Sequence, residues 1–119
     1  VHPAALRAFE LVLLREAGLL PALDAQSHTL APLQDDVAYL LTSDGGLREA
    51  HADDEFHLGG ARWIALEHAL AEDDGFPALL SACAACSAAL RPQLRQLLHY
   101  HCGVTMLRTR QMVLDIQKL

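Results

Sequence analysis

Cysteine is absent from the first 82 residues of this 119-residue chain, and only Cys83, Cys86 and Cys102 follow. An odd count, with Cys83 and Cys86 one helical turn apart, does not make a disulfide framework and points to a reducing, cytoplasmic setting. Cations are scarce too: nine Lys and Arg stand against fifteen Asp and Glu, a net charge of −6. A domain of that charge is a poor unaided binder of nucleic acid, because net charge sets the long-range field. No uncharged run reaches the ~20 strongly apolar residues of a membrane span. The longest, Gly75 to Leu90, is rich in alanine and holds two serines and a proline. The chain lacks a G-x-S-x-G elbow, a glycine-rich phosphate loop after a strand, and a D-x-D-x-D-G calcium loop. Seven histidines are present, but His99 and His101 would point about 200° apart on a helix and cannot share an ion unaided. Cys83-Ala84-Ala85-Cys86 has the CxxC spacing without a second pair, so packing thiols are expected there rather than a zinc knuckle. Neither an enzyme nor a metal or other cofactor is expected.

Length and composition, 52% apolar and 20% charged residues, suit one globular domain with its own core. The Val start and the lack of a charged-then-apolar leader suggest a piece of a longer polypeptide. Leu90, Leu94, Leu97, Leu98 and His101 follow helical spacing and should face the core, with Arg91 and Arg95 one turn apart beside them. Gly103 is placed to close this helix, and a further one from Thr105 would carry Arg108, Arg110 and Lys118. Charge is segregated: residues 16–74 sum to −11 (two cations, thirteen anions), residues 75–119 to +4 (five cations, one anion) and residues 1–15 to +1.

Pro3 fits the first turn of a helix reaching about Ala17, with Gly18 and Pro21 ending it. Ala5, Leu6, Phe9, Val12, Leu13 and Leu20 read as its core stripe, on which Leu13→Ala should be the costly truncation. Arg7, Leu11 and Leu14 form a second line. That line either packs on the other side of a central helix or walls a groove for an apolar, anionic peptide with Arg7 at its rim. From Pro21 to about Asp54 turn formers accumulate. The β-prone run Val37 to Leu41, the turn signal Ser43 to Gly46 and Leu47 admit a small hairpin. Asp35, Asp36, Asp53, Asp54 and Glu55 read as a solvated acidic surface. After Gly59-Gly60, a helix of about Ala61 to Ala71 places Trp63, Leu66 and Leu70 on one face. A last run starts near Pro77, and Pro92 should kink or break it near Ala88 to Arg91. The fold expected is mainly α: a compact bundle of about four to five helices with an irregular or β-hairpin insertion at about 25–55.

The opening ALRAFELVLLREAGLLPALD, the hairpin YLLTSDGG and the ending LLHYHCGVTMLRTRQMVL occur in an order that resembles the C-terminal domain of the RecO family, bacterial recombination mediators and DNA-repair proteins. The family's opening pattern L-R-x-F-E-L-x-L-L-x-x-x-G is matched by Leu6, Arg7, Phe9, Glu10, Leu11, Leu13, Leu14 and Gly18. Its ending, a leucine-rich helix, a glycine and then L-[KR]-[ST]-R, is matched by Leu97, Leu98, Gly103, Leu107, Arg108, Thr109 and Arg110. Many members bind a structural zinc through four cysteines in the hairpin region; here Gln26 stands where the first would be, so no zinc is expected. The family's N-terminal OB-fold domain is absent from this stretch. The resemblance implies binding to the acidic, phenylalanine-ended tail of single-stranded-DNA-binding protein and help in loading recombinase on coated DNA. RecR and single-stranded DNA would be further partners of the full-length protein. The residues expected at the partner surface are Arg7, Leu11, Leu14, Arg91, Arg95, Leu107, Arg108 and Arg110. Two other classes compete: a direct nucleic-acid-binding module using the basic C-terminal helices, and a purely structural helical domain.

Overall fold

A computed structural model describes residues 2–42 and 46–101. The expected turn residues Ser43 to Gly45, the side chain of His101, the Gly103 cap, the helix from Thr105, and Leu107, Arg108, Arg110 and Lys118 lie outside the described residues.

Helix α1 (Pro3–Glu16) begins at His2, whose Nδ1 accepts the Ala4 N–H at 3.1 Å and supplies the missing cap. Pro3 takes the first helical position, where its absent N–H is not needed. At the other end Gly18 adopts φ +75°, a left-handed conformation cheap for glycine, and the chain turns away. The buried face of α1 is Ala4, Leu6, Arg7, Ala8, Glu10, Leu11 and Leu14. This corrects the expected stripe: Leu11 and Leu14 are at the centre of the core, while Val12 and Leu13 pack at its edge and Phe9 is 37% exposed. Leu11 and Leu14 therefore wall no groove. Two apolar lines on one helix leave the choice of inner face to its neighbours, and α1 packs against both α3 and α4 with Leu11 and Leu14 fully buried. Leu11→Ala is expected to cost about 2–5 kcal/mol and Leu13→Ala distinctly less, the reverse of the sequence expectation, as read by thermal melts.

The hairpin forms and gains a third strand. β1 (Ala38–Leu41) pairs antiparallel with β2 (Leu47–Glu49), Leu41 opposite Leu47, and with β3 (Leu58–Gly59), Tyr39 opposite Leu58, in the order β2-β1-β3. The loop before β1 is tied to the edge of β2, where Ser27 N–H donates to Leu47 O (3.0 Å) and Leu47 N–H to Ser27 Oγ (2.9 Å). Helix α2 (Gly60–Ala71) follows β3 directly and turns Trp63, Leu66 and Ala69 inward. The Trp63 indole donates to Tyr39 O at 3.0 Å, pinning helix to sheet. Arg15 holds the Glu67 carboxylate with two nitrogens (2.7 and 3.1 Å), and Leu23 N–H donates to the same group at 2.9 Å. Burial alone would raise the Glu67 carboxyl, but Arg15 and the Leu23 amide outweigh it and hold the group below its ordinary range.

The last run divides into α3 (Phe76–Ala84) and α4 (Ser87–His101), with the break at Ala85 and Cys86 rather than at Ala88 to Arg91. Cys86 secures the break by donating its thiol hydrogen to Ala82 O (3.2 Å), a carbonyl in the last turn of α3. Pro92 sits inside α4, where only the carbonyl of Ala88 loses its helical donor, and Ala88 is exposed to water. Leu90, Leu94, Leu97 and Leu98 all face the core, as their spacing predicts. Buried Gln93 links α4 to the sheet: its Oε1 accepts Leu41 N–H (2.9 Å) and its Nε2 donates to Ala89 O (2.9 Å). The architecture is mainly α, four helices with a small antiparallel sheet among the described residues.

Candidate functional site

Residues Ala82 to Ala89 contain nothing larger than cysteine. Where α3 ends and α4 begins, these short side chains leave a gap against the first turn of α1 that a leucine would have filled. The result is a cleft of about 640 Å³, lined by His2, Pro3, Ala4 and Arg7 from the α1 side and by Ala84 to Ala89 and Arg91 from the other. Its size is that of a ligand site.

The charged side chains that line this cleft are both cations. Among the described residues no carboxylate lines it, in a chain that carries fifteen. Arg7 lies at its floor, 3% exposed, and its Nε–H donates to Glu10 behind it. Arg91 stands exposed on the wall. Helix α4 starts here and its N-terminal amides add partial positive charge beside Arg91, although the C-terminus of α3 in the same turn opposes it and Glu10 offsets the charge of Arg7. Small apolar walls with an exposed arginine at the rim suit a ligand that is apolar at one point and anionic beside it.

The expected partner residues are thus sorted by the fold. Arg7 and Arg91, 84 positions apart in sequence, meet in this cleft. Arg7 is a buried, ion-paired floor group and not the exposed rim that the sequence suggests. Leu11 and Leu14 lie inside the core. Arg95 is on a different surface: with Pro92, Gln96, His99 and Tyr100 it lines a shallower hollow of about 540 Å³ on the outer side of α4. Sequence reasoning did not single out His2 or the Ala84 to Ala89 turn. The available signal was the run of small residues itself, which cannot fill the space between two helix ends.

The thiols offer the cleft no reactivity. Burial, and then the neighbouring Cys86, push Cys83 up to about 12. Burial also raises Cys86, against the opposing charge of Arg62. Both are protonated at neutral pH, and it is the thiolate that attacks or ligates. Among the described residues no three His, Cys, Asp or Glu converge as a metal site, and no helix is long and apolar enough to cross a membrane.

Comparison with known proteins found no matching family model and no matching solved structure. Curated relatives are numerous. A protein of Polaromonas naphthalenivorans is 56% identical over 115 residues, 97% of this chain and 46% of that protein. One of Albidiferax ferrireducens is 53% identical over 119 residues, 100% of this chain and 47% of its own length. One of Variovorax paradoxus is 54% identical over 120 residues, 98% and 46% respectively. Each is named DNA repair protein RecO. The chain spans about half the length of the curated relatives it matches.

Proposed function

Because this chain belongs to the RecO family of DNA repair proteins over the half of them that it spans, we propose that it is the protein-interaction part of a recombination mediator. In this reading the cleft between α1 and the α3–α4 turn takes the acidic, phenylalanine-ended tail of single-stranded-DNA-binding protein, an anchorage that helps load recombinase on coated single-stranded DNA. The observation that carries the reading is the cleft's lining: small apolar walls, Arg7 beneath, Arg91 beside, and no carboxylate among the described residues. A phenyl ring and an adjacent carboxylate need a dry pocket next to a fixed cation, since neither feature alone selects such a peptide end. The chain's net charge of −6 repels polyanions at long range, the acidic peptide included, so in this reading the hold comes from local contacts in the cleft.

The competing reading is direct binding of single-stranded DNA along the outer side of α4. It is favoured by Arg91, Arg95 and His99 recurring every four residues beside Tyr100, which is 62% exposed. Calorimetric titration of the chain with the tail peptide and with single-stranded DNA separates the two. Arg91→Glu should weaken the peptide by the ~1.5–3 kcal/mol of a charge-assisted contact, about ten- to a hundredfold. The loss should shrink as salt is raised. Equal peptide affinity in the variant, or tight DNA binding with no peptide binding, sinks the proposal.

A further inference from the structure

Helix α1 is turned inside out for a helix at the surface of a domain. Its Arg7 and Glu10 are buried as an ion pair, whereas the arc that faces away from the core is apolar. At about 100° per residue, Ala5, Phe9, Val12, Leu13 and Glu16 fall on that one arc, and Glu16 alone is charged. Phe9 stands at its middle, 37% exposed. The apolar surface continues onto α3: Val12 lines a hollow of about 200 Å³ with Leu70, Phe76 and Leu79, and Phe76 is 49% exposed. None of these residues lines the cleft. A surface helix keeps one apolar stripe inside and its charges outside, so a helix that is apolar on both sides is one covered on both.

Charge narrows what can cover this face. Glu16, Glu72 and Asp73 are exposed at the edge of the hollow, where they would repel the phosphates of a nucleic acid or an anionic membrane. A second copy seated on the same face about a two-fold axis would set these carboxylates against their own counterparts. Size narrows the choice again. Phe9, Phe76 and the half-buried Ala5, Val12 and Leu13 are far fewer than the roughly 20–30 residues a side that a free partner uses. A tethered partner needs much less, since a short linker holds it at an effective concentration of order millimolar. The relatives carry such a partner: the match covers only 46% and 47% of two of them. We propose that the outer face of α1, with Phe76 beside it, is the seat of the other half of the full-length protein. That half lays over Phe9, Val12 and Phe76 an apolar surface with Lys or Arg at its rim.

Hydroxyl-radical footprinting of the full-length protein beside the 119-residue chain tests it. Oxidation of a ring follows its exposed area, so burial of Phe9 and Phe76 should slow both at least roughly fourfold in the full-length protein. Phe56, 43% exposed in a separate groove with Leu40 and Gln96, should react alike in the two. Thermal melts give a second readout. Phe9→Gln combined with Phe76→Gln should cost the full-length protein at least about 3 °C more in melting temperature than it costs the chain, which has no covering half to lose. Equal oxidation of Phe9 and Phe76 in the two proteins overturns the proposal, and so does an equal fall in the two melts. Protection of Phe9 in the chain alone, growing with its concentration, overturns it in favour of a second copy. Protection of Phe56 in place of Phe9 and Phe76 overturns it by seating the other half on a different face.

Discussion

Gly60→Ala is expected to destabilise the domain by about 3 kcal/mol or more, at or beyond the upper end of ordinary overpacking. A Cβ at Gly60 would stand 2.1 Å from Gln34 O and 2.9 Å from Gln34 C, both backbone atoms, and 3.1 Å from the Tyr39 ring. None of these can retreat cheaply. Gln34 N–H donates to Tyr39 Oη at 3.0 Å, and Gly60 N–H donates to Val37 O at 2.8 Å, so the turn before β1 is bonded from both sides to what it would have to leave. Tyr39 in turn receives the Trp63 indole on its carbonyl. In a domain of this size the loss should appear as a fall in melting temperature of about 10–20 °C. Gly59→Ala is the control: its added carbon would meet only Asp35 O, at 3.6 Å, and the melt should scarcely move. Similar melts for the two variants would show that the Gln34 turn can shift as a unit.

The second large effect is expected at Arg7. Its guanidinium and the Glu10 carboxylate are buried together, at 3% and 1% side-chain exposure. Arg7→Ala would leave Glu10 without that partner, and breaking a buried pair from one side costs about 3–5 kcal/mol. Sequence patterning places Arg7 on an open rim, where its loss would leave stability untouched. Replacing both residues together, Arg7→Leu with Glu10→Leu, should recover most of the loss, because a buried charge stripped of its counter-ion is what is costly and not the absence of the pair. Denaturant unfolding of the three variants gives the answer. A double variant as unstable as Arg7→Ala would mean that the site needs polar groups for some other reason.

Elements whose signal is local are legible in the sequence alone. The leucines of α4 face inward as their spacing predicts, α2 begins and ends within a residue of its expected limits, and β1 pairs with β2. Features decided between elements are not. Strand β3 is two residues long, too short for an alternation to be seen, and exists because β1 offers it an edge. The inner face of α1 depends on which side α3 and α4 approach. Pro92 is the stronger helix breaker on paper, yet the chain divides at Ala85 and Cys86, where a thiol can satisfy a terminal carbonyl. The cleft is half visible: Arg7 and Arg91 both stand among the expected partner residues, but their meeting depends on the first turn of α1 lying across the α3–α4 turn, and no sequence period reports that.

The most direct test of the cleft is to map amide chemical-shift changes while the chain is titrated with a soluble acidic peptide ending in phenylalanine. The expected changes cluster at Ala4 to Arg7 and at Ala84 to Arg91, with the Leu23 to Leu33 loop silent. Changes confined to Arg95 to Tyr100, or spread over the sheet with Ala84 to Ala89 unmoved, would contradict the assignment of the cleft.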